Sequence, residues 1–100
     1  MALMRAAKTD EIPVGFVREF QVDGNTLAIA NVDGKFFAIN NTCMHRGGPL
    51  GQGELTGKIV TCPWHGWQYD VTTGKLASNP SVGVQCYPLQ VRGEDIWVDA

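Results

Sequence analysis

The chain has 100 residues, of which 44% are hydrophobic and 18% are charged, and these values are typical of one small globular domain. Its formal net charge of −2 excludes the strongly basic surface of proteins that bind nucleic acid or anionic lipid. The first 13 residues lack the apolar run of a signal peptide, and no later run approaches the ~18 apolar residues of a membrane span. We therefore expect a soluble, cytoplasmic protein with no membrane anchor.

Two Asp-Gly pairs mark turns in the first half of the chain. Asp23-Gly24 and Asp33-Gly34 each stand between runs rich in Val, Ile and Phe, and Asp-Gly is one of the strongest short-range hairpin signals. The pattern predicts an antiparallel meander of three strands, at Phe16–Val22, Thr26–Val32 and Lys35–Ile39.

The character of the sequence changes after this meander. Residues 41–57 contain five glycines and one proline with little periodicity, so they are predicted to form a loop. Short strands are expected at Lys58–Thr61 and Gln68–Val71. They enclose a second, shorter loop at residues 62–67.

The last third of the chain is predicted to contain one irregular segment and one hairpin. Residues 77–83 include Pro80 and are predicted to be irregular, whereas Val84–Val91 and Ile96–Val98 are predicted to pair as a hairpin. Cys86 falls in the first of these strands and is expected to be a small buried residue with no reactive role. We find no long helical pattern and no internal repeat, so residues 1–100 are predicted to form one all-β domain.

The two loops carry a specific pattern of cysteine and histidine. Cys43 and His45 are separated by one residue, Cys62 and His65 by two, and sixteen residues (46–61) lie between the two pairs. Each pair can direct a thiolate and an imidazole to one point, so the two loops can form a clamp of four ligands. Zn²⁺ accepts such ligands, but common zinc modules pair Cys with Cys and His with His. Mixed pairs favour an unsymmetrical iron–sulfur centre.

This pattern resembles the Rieske iron–sulfur family, and the glycines after His45 and Gly66 after His65 add to the resemblance. It implies stacked antiparallel sheets, with one [2Fe–2S] cluster at the tip of a small cluster-binding subdomain. By the same resemblance, Cys43 and Cys62 would hold the inner iron, and His45 and His65 the outer iron near solvent. Pro80 and its neighbours match the family's third loop, although an ordinary surface turn fits as well.

The loops also indicate which kind of Rieske protein this chain resembles. High-potential members carry a disulfide whose positions correspond to Gly48 and Trp64 here, and a serine hydroxyl whose position is occupied by Trp67. Tyr69 matches the family's tyrosine. Fewer hydrogen-bond donors to sulfur lower the potential, so we expect a value near the bottom of the range of about −150 to +300 mV.

The resemblance therefore implies a low-potential ferredoxin that is itself not an enzyme. Such a carrier takes single electrons from a flavin-containing reductase and passes them to a terminal oxygenase in aromatic-ring hydroxylation and aromatic hydrocarbon catabolism. The alternative is a Rieske subunit or domain of an oxygenase or of an assimilatory nitrite reductase. His45 and His65 are the only histidines in this sequence, so none remains for the mononuclear iron of an oxygenase.

Overall fold

The computed structural model describes residues 3–44, 47–64 and 66–99. These described residues form twelve strands and two 3-10 turns. The strands are β1 (Leu3–Lys8), β2 (Val17–Val22), β3 (Asn25–Val32), β4 (Lys35–Asn40), β5 (Glu54–Thr56), β6 (Ile59–Thr61), β7 (Gln68–Asp70), β8 (Lys75–Leu76), β9 (Asn79–Gly83), β10 (Cys86–Tyr87), β11 (Leu89–Arg92) and β12 (Asp95–Asp99), and the 3-10 turns are Thr9–Glu11 and Leu50–Gln52.

The strands form three antiparallel sheets. One sheet has the order β1-β12-β11, the second β10-β4-β3-β2, and the third β5-β6-β7-β8-β9. The second sheet contributes to two hydrophobic cores, one shared with the first sheet and one shared with the third. The prediction of an all-β protein with stacked antiparallel sheets is therefore confirmed.

The central position of the second sheet explains the composition of β3. Successive side chains of a strand point to opposite faces, and in β3 both faces are buried. Leu27 and Ile29 enter the core shared with the first sheet, whereas Ala28 and Ala30 enter the core shared with the third sheet. A strand buried on both faces has no polar alternation, so its sequence shows a continuous apolar run.

The two predicted hairpins are present. β2 pairs with β3 across Asp23-Gly24, and β3 pairs with β4 across Asp33-Gly34. Asp23 and Asp33 have φ angles of 49° and 52°, as two-residue type I′ turns require at the first central residue. The register of these hairpins brings β4 to its end at Asn40, directly before the first cysteine loop.

Four strands were missed by the sequence analysis: β1, β5, the two-residue β8 and β9. β1 has no clear period-two pattern, and it is held by pairing with β12 from the other end of the chain. β5 lies inside the predicted loop 41–57 and pairs with β6. β9 lies in the segment that was predicted to be irregular, and it forms the edge of its sheet, where Pro80 is tolerated because an edge strand can lack one N–H donor.

The predicted strand Val84–Val91 was wrong in its extent, and Cys86 is not buried. Pro88 separates β10 from β11, which belong to different sheets. Because β10 lies at an edge, Tyr87 points into the core and Cys86 is exposed. Partial burial of its sulfur, and then the Asp70 carboxylate, still raise the pKa of the Cys86 thiol, which disfavours the reactive thiolate.

The first cysteine loop joins the second sheet to the third, and the second cysteine loop lies within the third sheet. The first loop runs from β4 to β5, and the second connects β6 to β7. None of the helical segments in the described part of the chain has the length and apolar character needed to cross a bilayer.

Asp70 closes the turn that follows β7. Its Oδ1 accepts hydrogen bonds from the Thr72 N–H at 2.9 Å and the Thr72 hydroxyl at 2.6 Å, and its Oδ2 lies 3.4 Å from Lys58 Nζ. Burial alone would raise the pKa of Asp70, but these hydrogen bonds and Lys58 outweigh it and hold the pKa below its ordinary value of 3.8.

Asp70→Asn should lower the free energy of unfolding at neutral pH by about 1–3 kcal/mol, because the charged acceptor of the Thr72 bonds is lost. Because the pKa of Asp70 is lower in the folded state, its carboxylate stabilises the fold fully at pH values above the unfolded-state pKa. This stabilisation is lost only as the pH falls through the folded-state pKa. The difference from wild type, measured by urea unfolding, should therefore stay constant from about pH 8 to pH 5. Asp23→Asn, in the first hairpin turn, should change stability by less than about 0.5 kcal/mol. A difference that titrates within this range would contradict the lowered pKa of Asp70.

Candidate metal centre

The first cysteine loop is a short hydrogen-bonded turn. The carbonyl oxygen of Cys43 accepts the N–H of Gly47 at 2.9 Å, and the N–H of Cys43 donates to the carbonyl of Gly48 at 2.9 Å. Thr42 and Pro49 form an antiparallel bridge just below these bonds. The backbone around Cys43 is therefore fixed by the loop itself.

The second loop repeats this arrangement. The carbonyl of Cys62 accepts the N–H of Gly66 at 3.1 Å, and the N–H of Cys62 donates to the carbonyl of Trp67 at 2.7 Å. Thr61 and Gln68 pair just below. In both loops the partners are therefore four and five residues after the cysteine, and the flanking pair joins the residue before the cysteine to the sixth residue after it.

Two glycines allow this shared geometry. Gly47 and Gly66 have φ angles of 72° and 76°, in the left-handed region that glycine adopts without steric cost. The sequence analysis overlooked this local similarity between the two loops. Thr-Cys followed by glycine four residues after the cysteine occurs in both loops, and this spacing was the signal that could have revealed the common turn.

Tyr69 connects the first loop to the buried core. Its hydroxyl oxygen lies 3.3 Å from Cys43 Sγ and accepts the Met44 N–H at 3.0 Å. Burial and then the hydrogen bond with Cys43 raise the pKa of Tyr69 to about 12, so the phenol keeps its proton. A metal-bound cysteine is a thiolate without a proton, and the Tyr69 hydroxyl is then the donor.

Gly48 brings the first loop against the second. A Cβ placed on Gly48 would lie 2.6 Å from Cys62 Sγ and 3.1 Å from Cγ of the Trp64 indole. Only a residue without a side chain allows this approach. The structure thus places Gly48 and Trp64, the positions matched to the disulfide of high-potential Rieske proteins, next to each other.

The base of the first loop is fixed by a hydrogen-bond network around Asn41. Asn41 is 6% exposed; its Nδ2 donates to Glu19 Oε2 at 2.5 Å, and its Oδ1 accepts the Gly51 N–H at 2.6 Å. Gln52 Nε2 donates to the other Glu19 oxygen at 2.9 Å. The sequence analysis missed this network, since its members come from β2 and from both ends of the loop, which no local pattern connects.

The structure describes two of the four ligands that the sequence predicts. Cys43 and Cys62 are free thiols, each 2% exposed, and belong to the same hydrophobic core. His45 and His65 lie outside the described residues. Within residues 3–44, 47–64 and 66–99, no three His, Cys, Asp or Glu side chains come together as a metal site.

The surroundings of the two cysteines fit a pair of thiolate ligands. Both sulfurs are withdrawn from solvent, Gly48 leaves space beside Cys62 Sγ, and Tyr69 directs a hydroxyl to Cys43 Sγ. Hydrogen bonds of this kind to ligand sulfur are a common feature of protein metal centres.

Comparisons with known proteins agree with this geometry. The family model of the Rieske [2Fe-2S] domain matches residues 2–88. The biphenyl dioxygenase ferredoxin subunit of Pseudomonas sp. (strain KKS102) is 37% identical over 101 residues, which cover 99% of this chain and 93% of that protein.

Two solved structures are also similar. The ferredoxin of carbazole 1,9a-dioxygenase from Nocardioides aromaticivorans IC177 superposes with a TM-score of 0.88 at 30% identity, covering 98% of this chain and 97% of that one. A chain of the complex of reduced oxygenase and oxidized ferredoxin in carbazole 1,9a-dioxygenase superposes with a TM-score of 0.85 at 28% identity, covering 96% and 91%.

The fold and the paired cysteine loops therefore define an iron–sulfur protein of the all-β kind. This chain belongs to the Rieske [2Fe-2S] family. Its cofactor is one Rieske-type [2Fe–2S] cluster, which, when bound, accepts and donates a single electron.

Tyr69→Phe should lower the reduction potential, because the hydroxyl donor to Cys43 sulfur is lost while the ring remains. One such hydrogen bond corresponds to roughly 20–60 mV in a one-electron couple, the equivalent of about 0.5–1.5 kcal/mol. Protein-film voltammetry of wild type and variant measures the shift. Tyr87→Phe, at a buried tyrosine in the other core, is the matched control and should leave the potential unchanged. An unchanged potential in Tyr69→Phe would show that its hydroxyl does not act on the centre.

Asn41→Ala should lower the free energy of unfolding by about 1–3 kcal/mol, since it leaves the Gly51 N–H and one Glu19 oxygen without their partner. Hydrogen exchange of the Gly51 amide should accelerate in the same variant. Gln52→Ala removes only the exposed bond to Glu19 and should cost about 1 kcal/mol or less. Equal losses in the two variants would contradict the role assigned to the buried amide.

Proposed function

We propose that this chain is a ferredoxin that carries single electrons to a terminal oxygenase of an aromatic-ring-hydroxylating system, and that it is not itself a catalyst. The observation that carries the proposal is the pair of equivalent turns that hold two buried cysteines in one hydrophobic core, one of them bonded to a buried tyrosine. The relatives named as ferredoxins of biphenyl and carbazole dioxygenases support it. They favour a carrier over a subunit or domain of an oxygenase or nitrite reductase.

The proposed ligands of the cluster are Cys43, His45, Cys62 and His65. In support, the two cysteines occupy the same position in equivalent turns, and each histidine falls inside one of those turns, before the glycine that closes it. Cys43 and Cys62 would bind as thiolates in the buried part of the site. His45 and His65 would bind as neutral imidazoles, which limits the negative charge around the cluster.

The proposed acceptor is the terminal oxygenase, and the proposed donor is a flavin-containing ferredoxin reductase. The acceptor is supported by the solved ferredoxin–oxygenase complex. The flavin donor is supported by redox chemistry. A reduced nicotinamide transfers two electrons together as one hydride, and a flavin can pass these electrons on one at a time to a [2Fe–2S] centre.

We further propose a low reduction potential for this carrier. The hydroxyl of Tyr69 is a donor to Cys43 sulfur, whereas Trp67 supplies no hydroxyl at the position where the resemblance places a serine in high-potential proteins. Trp64 covers Gly48 with an apolar ring. The absence of a hydroxyl at Trp67 and the apolar ring of Trp64 each leave the reduced, more negative state with less stabilisation.

The 100 residues are proposed to act as a single Rieske domain in the cytoplasm. Support for one domain comes from the second sheet, which shares a core with each of the other two. A reducing compartment would keep thiols available for the metal, and the three cysteines are free in this structure.

The test is the visible and low-temperature EPR spectrum of the purified protein, before and after dithionite reduction, with iron, zinc and sulfide quantified on the same sample. We expect about two irons per chain and a reduced signal of the mixed Cys/His type. Cys62→Ser and His65→Ala should lose that signal, because each removes one proposed ligand.

Cys86→Ser is the control, because Cys86 is an exposed cysteine outside both loops. It should keep the full iron content and spectrum. A protein that takes up only zinc, even after anaerobic reconstitution with iron and sulfide, would overturn the proposed function. A normal cluster in His65→Ala would overturn the ligand assignment alone.

A further inference from the structure

The two cysteine turns share a backbone frame but differ at the fifth residue after the cysteine. In the second loop this residue is Trp67, which packs against the core that contains both cysteines. In the first loop it is Gly48, which is buried and has no side chain. The first loop therefore presents bare backbone where the second loop carries a large ring.

The indole of Trp64 packs against this bare backbone. Its Cγ and Cδ2 would be 3.1 and 3.2 Å from a Cβ on Gly48, and Cys62 Sγ would be 2.6 Å from the same point. The indole of the second loop, the backbone of the first loop and the sulfur of Cys62 thus meet at one place. Trp64 is 56% exposed, whereas Cys62 is 2% exposed, so Trp64 is open to solvent while the cysteine beside the same glycine is withdrawn from it.

We propose that Trp64 is a positioning residue that holds the second loop against Gly48 of the first loop and excludes water from the Cys62 sulfur. This inference rests on the proposed function, because the loops matter only if Cys62 holds the cluster. It adds a specific role for one side chain, which neither the ligand pattern nor the family assignment provides.

Physical reasoning gives the direction of the effect. Solvent exposure and hydrogen bonds to sulfur help to set the potential of iron–sulfur centres. Water that reaches Cys62 sulfur would stabilise the more negative reduced state, and loops without their contact would separate more readily. Loss of the indole should therefore raise the potential and shorten the lifetime of the cluster.

The experiment compares Trp64→Ala, Trp64→Phe and Met44→Ala in the purified, cluster-containing protein. Met44 is the matched control, because it is an apolar side chain of the first loop with nearly the same exposure, 53%. Two quantities are measured: the reduction potential, and the half-life of the visible absorbance in excess iron chelator.

We expect Trp64→Ala to show a several-fold shorter half-life and a more positive potential. Trp64→Phe, which keeps an aromatic ring over Gly48, should have a half-life and a reduction potential close to those of wild type. Met44→Ala should match wild type. If Trp64→Ala retains no cluster at all, Trp64→Leu replaces it as the test variant, since its smaller apolar side chain should give an intermediate half-life.

Other outcomes would overturn the inference. An unchanged half-life and potential in Trp64→Ala would remove the positioning role. A defect seen only in electron transfer to the oxygenase would make Trp64 a docking residue instead. Equal effects of Trp64→Ala and Met44→Ala would mean that any exposed apolar side chain at these loops acts in the same way. A wild-type protein that contains no iron would contradict the proposed function itself, and this result is distinct from a failure of the inference about Trp64.

Discussion

Two buried sulfurs must be delivered to one place by loops that are far apart in the sequence, and the rest of the structure depends on meeting this constraint. Cys43 and Cys62 are both almost inaccessible to solvent, and burying a thiolate is costly unless a metal or hydrogen-bond donor compensates its charge. Each loop also carries its own hydrogen-bonded turn, which fixes the cysteine backbone. Tyr69 then adds a neutral donor from a third segment.

The central sheet provides the rigid support for these turns. Its strand β3 is buried on both faces, with larger side chains toward the first sheet and alanines toward the cysteine side. β4 ends directly at the first loop, and the Asn41 amide joins both ends of that loop to Glu19 of β2. The loop is thus anchored to a core that does not itself contact solvent, which limits movement of Cys43.

The features that could be predicted from the sequence are those that short local motifs determine. Asp23-Gly24 and Asp33-Gly34 identify their hairpins because a type I′ turn requires residues that tolerate positive φ, and the cysteine and histidine spacing identifies the loops. Features that depend on distant partners were not accessible. β1 is a strand because β12 pairs with it, and Cys86 is exposed because β10 lies at a sheet edge. The buried amide of Asn41 resembles any loop asparagine until Glu19 is placed beside it.

The two cysteine sulfurs share a backbone geometry, yet their surroundings differ in kind. Cys43 sulfur has a hydroxyl from Tyr69, and Cys62 sulfur has the bare backbone of Gly48 and the nearby indole of Trp64. A hydrogen bond lowers the cost of adding an electron, whereas an apolar cover raises it. One residue beside each sulfur, Tyr69 at Cys43 and Trp64 at Cys62, could therefore change the reduction potential without any change in the turn that holds the cysteine. The low potential that we propose would then follow from an apolar side chain at a position where a second hydrogen-bond donor could lie, with no change in the ligands.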